Sequence, residues 1–105
     1  MKNDEDYRMG LIGAFYASVL EASLDPETRV MHLRTREVLK AALMTAATFL
    51  SSDPQGLTPA GRKAMGKEVA RQFLNCLRGV QEAGGLSYAM GPTPIVILND
   101  DERRQ

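Results

Sequence analysis

The chain has 105 residues, of which 44% are hydrophobic and 25% charged, and its thirteen basic side chains are balanced by thirteen acidic ones. This length predicts a single domain with a modest core. The apolar content and mixed charge exclude a wholly disordered chain. The single cysteine excludes an intrachain disulfide framework and a zinc site built from several cysteines.

The same features predict a cytoplasmic protein that does not enter a membrane. A single cysteine fits a reducing compartment. The acidic residues 4–6 have the wrong sign for the start of a signal peptide. The longest nearly apolar stretches, residues 10–20 and 41–50, are about half the ~20 residues that a membrane-spanning helix needs.

The first predicted helix runs from about Asp4 to Ala22. Asn3 or Asp4 can cap its first turn, where acidic residues favour the positive end of the helix dipole. Apolar or small residues recur at helical spacing and predict a buried face made of Leu11, Phe15, Ser18 or Val19, and Ala22.

The second predicted helix begins at Asp25 and Pro26 and continues to about Ser51. Asp25 is a typical N-cap, and proline is favoured at the first helical position. Residues 41–50 are apolar on nearly every side, which indicates burial against more than one neighbour. Three large apolar side chains of this segment are candidate interface residues: Leu43, Phe49 and Leu50.

The third predicted helix opens at Thr58 and Pro59 and ends at the glycine pair Gly84 and Gly85. It carries the clearest amphipathic pattern of the chain. Its apolar positions are Met65, Val69, Phe73, Cys76 or Leu77, and Val80. In this pattern Cys76 is expected to be a small core residue, since buried free cysteine packs as a hydrophobe.

Residues 86–105 are predicted to form an extended C-terminal arm. Pro92 and Pro94 exclude a helix, and the four apolar residues Ile95, Val96, Ile97 and Leu98 predict a β-strand that stops at residues 99–102. No other segment shows a clear strand pattern, so we expect this strand to have no partner within the chain. Three arrangements would cover it: pairing with a second copy, packing in a groove between helices, or addition to another protein's sheet.

The fold predicted from these elements is mainly α. Residues 1–85 form a three-helix bundle, with the second and third helices as a long antiparallel pair, and residues 86–105 form the arm with its one short strand.

Five basic residues are concentrated in the third helix, where Glu68 is the only acid over residues 60–80. They are Arg62, Lys63, Lys67, Arg71 and Arg78. Such a group can contact phosphates and give salt-dependent binding to a nucleic acid, and a solvated helix face has the same pattern. No aromatic residues interleave with them, which weakens the nucleic-acid interpretation.

The sequence offers little catalytic chemistry. His32 is the only histidine, and Arg29 and Arg36 are its neighbours at helical spacing, which suits a surface histidine better than a general base. No cofactor motif or metal-ligand spacing is present. We therefore expect a non-enzymatic interaction protein that acts as a homodimer through residues 95–98 and the apolar second helix. A nucleic-acid-binding accessory protein is the alternative.

Overall fold

A computed structural model describes residues 2–98 of the chain. About 72% of these residues are helical, which confirms the mainly α class. The helices are α1 (Asp4–Ser23), α2 (Thr35–Leu50), α3 (Pro59–Ala83) and α4 (Leu86–Met90), with a short 3-10 helix at Pro54–Leu57. Two strands, β1 (Met31–Arg34) and β2 (Ile95–Leu98), complete the described elements.

The described residues divide into two compact units. One contains residues up to 38 together with those from 89 onward, and the other contains residues 39–88. The first holds α1 and both strands. The second holds most of α2, the 3-10 helix and α3.

The two strands form a parallel sheet in the first unit. Met31 is in register with Ile95 and Leu33 with Ile97, so these four side chains lie on one face of the sheet. Helix α1 packs against β1 on that face. Met31 is 0% exposed and Leu33 4%, and they are the only buried hydrophobic residues that the described part of the chain contains.

The predicted bounds of helix α1 are confirmed to within one residue, but most of its predicted buried face was wrong. Asn3 caps it by accepting a hydrogen bond from the Asp6 N–H at 2.8 Å. Leu11 and Phe15 are exposed. Val19, one of the predicted positions, is partly buried. The other partly buried residues of α1 were not predicted: Ile12, Tyr16, Leu20 and Ser23.

The prediction that the second helix begins at Asp25 and Pro26 was wrong. Asp25 does cap the backbone, since its Oδ1 accepts from the N–H groups of Glu27 and Thr28, but it closes a turn there. Arg29 then adopts a φ of 62°, which ends any helical path, and β1 follows. Helix α2 begins only at Thr35.

The expectation that Ile95–Leu98 lacks a partner within the chain was also wrong, because β1 pairs with it along its whole length. The predicted stop of this strand at residues 99–102 lies outside the described residues. The short helix α4, just before the strand, was not predicted.

In the second unit, the prediction of the third helix is confirmed, including where it begins and where it ends. Thr58 Oγ1 accepts from the Gly61 N–H at 3.0 Å, with Pro59 in the first turn. Gly84 ends the helix with a φ of 119°, in the left-handed region that favours glycine. The 3-10 helix packs against α3.

Candidate interaction surfaces

Strand β2 has one edge without a partner among residues 2–98. The sheet has two strands, so β1 occupies a single side of β2. The Met31 N–H donates to the carbonyl of Pro94 at 2.8 Å. Because Met31 is in register with Ile95, the hydrogen bonds of this parallel strand pair involve the N–H and C=O groups of Val96. The N–H and C=O groups of Ile95 and Ile97 therefore point away from β1. We call this side the open edge of β2.

The side chains of β2 are also incompletely covered. Val96 is 44% exposed and Ile97 50%, although Ile97 lies on the same face of the sheet as the buried Leu33. The difference arises because α1 packs against β1, while Ile97 lies one strand farther out. The four interface residues predicted in the arm, Ile95–Leu98, therefore all lie on β2, which is an edge strand.

Helix α2 carries an exposed apolar stripe within the second unit. We define the α2 stripe as Leu39, Leu43, Ala46 and Leu50, which follow one another at intervals of four, three and four residues. This spacing keeps them on one side of a helix. Each of the four is exposed. The predicted interface residues Leu43 and Leu50 belong to the stripe, whereas Phe49, 75% exposed, lies about 100° around the helix from Leu50.

Helix α3 carries a second stripe with the same spacing. We define the α3 stripe as Val69, Phe73, Cys76 and Val80. All four are exposed, so the expectation that Cys76 lies in the core was wrong. Among the described residues, α2 and α3 make no extensive contact with each other, and both stripes are open to solvent.

The five basic residues of α3 do not form one uniform surface. Lys63, Lys67 and Arg71 are four residues apart and share a side of the helix. Arg62 lies elsewhere, and its Nη1 donates to the carbonyl of Gly56 in the 3-10 helix at 3.1 Å.

Arg71 is engaged by a neighbouring carboxylate. Its Nε donates to Oε2 of Glu68 at 3.0 Å, and its Nη2 contacts Oε1 of the same residue. These hydrogen bonds lower the pKa of Glu68 and raise that of Arg71. Part of the positive charge expected on this face is therefore balanced locally. Lys63, Lys67 and Arg78 have no ion pair with another described residue.

Groups able to carry catalytic or metal chemistry are sparse in the described part of the chain. His32 lies on β1 rather than on a helix, and its side chain is exposed. Residues 2–98 contain no cluster of three or more histidine, cysteine or acidic side chains that would hold a metal ion. Over the same residues, no helix combines the length and the apolar character needed to cross a lipid bilayer.

A shallow cleft of about 250 Å³ lies in the first unit, next to the strained Arg29. Its lining is mostly apolar, with one guanidinium group and one hydroxyl: Leu20, Leu24, Arg29, Pro92, Thr93 and Pro94. The hydroxyl of Thr93 already donates to the carbonyl of Met90. The cleft therefore brings together no pair of groups suited to proton transfer.

Sequence reasoning missed β1, which anchors the strand of the arm. A signal was present, because Met31, His32, Leu33 and Arg34 alternate between apolar and polar residues, as a half-buried strand does. It was missed because the helix-start signal at Asp25 and Pro26 placed these residues in a predicted helix. The stripe on α2 was missed because residues 41–50 are apolar on nearly every side, so no single face could be distinguished.

Comparison of this chain with protein-family models, with characterised proteins and with solved structures found no match.

Proposed function

We propose that this protein is a non-enzymatic interaction protein that acts as a homodimer. The main observation that supports this proposal is the pair of exposed apolar stripes on α2 and α3. A chain that is 44% hydrophobic but buries only Met31 and Leu33 among its described hydrophobic residues leaves most of its apolar surface uncovered. A second copy would supply the missing cover.

The amount of uncovered apolar surface fits a stable interface. Ten large apolar side chains of α2 and α3 are exposed. Six of them lie on the two stripes, and at roughly 100 Å² of exposed surface each these six present on the order of 600 Å². A standard protein interface buries about 800 Å² on each partner, whereas soluble monomers rarely expose apolar patches beyond a few hundred Å².

The spacing of the stripes favours a helical interface. Intervals of four and three residues allow side chains of one helix to fit between those of another. Two copies would contribute four long helices, with α2 and α3 of each chain antiparallel, as in up-and-down bundles. The antiparallel helix pair expected from the sequence thus becomes part of the proposed dimer. A single cysteine and the lack of a membrane-spanning helix over residues 2–98 are compatible with our further proposal that the dimer works in the cytoplasm.

Light scattering coupled to size-exclusion chromatography tests the proposal. We expect the parent chain to elute as a dimer, and Leu43→Glu to elute as a monomer because the variant places a charge in the α2 stripe. Ala41→Glu is the matched control, since Ala41 is an exposed position about 160° around the same helix from Leu43. A monomeric parent chain, or a Leu43→Glu variant that remains as dimeric as Ala41→Glu, would contradict the proposal.

A nucleic-acid-binding accessory role is the second candidate. It is favoured by the exposed Lys63, Lys67 and Arg78, which lack ion pairs with described residues. A Lys67→Glu/Arg71→Glu variant should then bind DNA and RNA more weakly and with a shallower salt dependence. As a control, Lys2→Glu/Arg8→Glu makes the same change in charge away from α3, before and within the start of α1. Equal binding by the two variants would dismiss this candidate. Binding of another protein through residues 86–105 is a further proposal, which pull-down with the parent chain and with an Ile97→Asp variant would test.

A further inference from the structure

We infer that the open edge of β2 pairs antiparallel with the same edge of a second copy, so that two two-stranded sheets become one four-stranded sheet. This inference rests on the proposed homodimer and names a second contact in it. It adds a specific register, with Val96 opposite Val96 of the second copy and Ile95 opposite its Ile97.

The first argument is the chemistry of the edge. The N–H and C=O groups of Ile95 and Ile97 point away from β1, and an edge strand of this kind accepts another strand. Proteins usually protect such an edge with a charged residue, a proline or a bulge within the strand. The residues of β2 are all apolar, and its register with β1 is regular throughout.

The second argument is that the opposite edge of the sheet is less accessible. There Leu24 makes an antiparallel bridge with Met31, and the exposed side chains of β1 are His32 and Arg34. If two β1 strands paired in the equivalent register, Arg34 of each would lie opposite His32 of the other, and this face would form no apolar pair. The apolar β2 is therefore the edge that can accept an identical strand.

The third argument is geometric and fixes the register. Two identical antiparallel strands are related by a two-fold axis perpendicular to the sheet, which keeps each side chain on its original face. A residue must then oppose one of the same face, so Val96 opposes Val96 and Ile95 opposes Ile97. Each strand has four backbone groups that point outward, namely the N–H and C=O of Ile95 and of Ile97. All four form hydrogen bonds with β2 of the second copy only when the two-fold axis passes beside Val96.

This register would also cover the exposed side chains. Val96 meets its own equivalent in a pair whose Cα atoms lie about 4.5 Å apart, as in non-hydrogen-bonded antiparallel pairs. Ile97, which is half exposed, gains Ile95 of the second copy as a neighbour. The second copy thus covers the apolar residues that the chain itself leaves uncovered.

Disulfide trapping tests both the pairing and its register. In a Cys76→Ser background, Val96→Cys should oxidise rapidly to a covalent dimer on a non-reducing gel. Ile97→Cys is the matched control. Two Ile97 residues would be separated by two positions along the strands, roughly 8 Å between Cα atoms, beyond the usual disulfide range. We expect its cross-linking to be at least about tenfold slower.

The outcomes separate this inference from the proposed function. Light scattering is recorded on the reduced samples, and circular dichroism verifies that each variant keeps its helical content. A reduced dimer in which Val96→Cys does not cross-link, or in which Ile97→Cys cross-links faster, would overturn the strand pairing while leaving the homodimer in place. A reduced parent chain that is monomeric at all concentrations would overturn both.

Discussion

The backbone N–H of Met31 donates to the carbonyl oxygen of Pro94 at 2.8 Å, and this contact joins the start of β1 to the start of β2. It brings together two segments that are distant in sequence. It also fixes the hydrogen-bond register between the two strands, in which the peptide groups of Ile95 and Ile97 point toward the open edge. Met31 thus has two roles: its side chain belongs to the small core of the first unit, and its backbone holds β2 in the orientation that leaves the open edge free for a second copy.

Met31 is the largest fully buried side chain of the described residues, so truncating it should be costly. We expect Met31→Ala to lower the free energy of unfolding by about 2–5 kcal/mol, the usual cost of this change in a core. Met9→Ala is the control because Met9 is 54% exposed, and its effect should stay within about 0.5 kcal/mol. Urea unfolding at matched protein concentration measures both. Equal losses would show that Met31 is not a core residue.

Two glycines of α3 should respond oppositely to alanine. A Cβ added at Gly61 would lie 1.8 Å from the carbonyl oxygen of Gln55, so the 3-10 helix must move. Gly61→Ala should therefore destabilise the protein by about 1–3 kcal/mol, the usual cost of overpacking.

Gly79→Ala provides the comparison, because a Cβ at Gly79 would meet nothing within 4 Å. It should stabilise the helix by up to about 1 kcal/mol, since alanine is the better helix former. Thermal unfolding followed by circular dichroism distinguishes the two variants. A gain in stability from Gly61→Ala would mean that the 3-10 helix is not held against α3.

The turn at Asp25 should loosen in acid. Its carboxylate accepts a hydrogen bond from the Glu27 N–H at 2.8 Å, and this bond, with a second from Thr28, holds the pKa of Asp25 below its ordinary value. A lowered pKa means that the stabilisation is complete above about pH 4, the ordinary aspartate value, and is lost as the pH falls through the lower folded value.

The Glu27 amide shift followed by NMR during an acid titration measures this effect. Its midpoint should lie below the ordinary pKa of an aspartate. Asp25→Asn is the control, since its side-chain oxygen can still accept the bond but does not titrate, so the part of the transition that comes from Asp25 should disappear. A midpoint at or above the ordinary value would show that these hydrogen bonds do not persist in solution.

The thiol of Cys76 reports directly on the α3 stripe. In the isolated chain it is exposed, and in the proposed dimer the stripe is covered. We therefore expect slow reaction with a thiol reagent at concentrations where the dimer forms, and a rate that rises on dilution. The Leu43→Glu variant should react rapidly at every concentration. An equally fast reaction in a parent chain shown to be dimeric would place Cys76 outside the interface.

Local signals in the sequence determined the helices correctly where they did not compete with distant contacts. The cap at Asn3, the Thr58 and Pro59 start of α3 and the glycine at position 84 all act through neighbouring backbone groups, and each was readable from the sequence. The candidate β2 strand was recognised for the same reason, since its β-branched residues favour extended backbone.

Tertiary structure decided what the local signals left ambiguous. Asp25 and Pro26 form a turn rather than a helix start because residues 31–34 gain a ladder of hydrogen bonds with residues 95–98. The same amphipathic spacing is compatible with a buried or an exposed face, so only the packing of α1 against β1 could show that Leu11 and Phe15 point outward. A periodic pattern specifies which residues share a face, whereas the element that covers the face depends on contacts between distant parts of the chain.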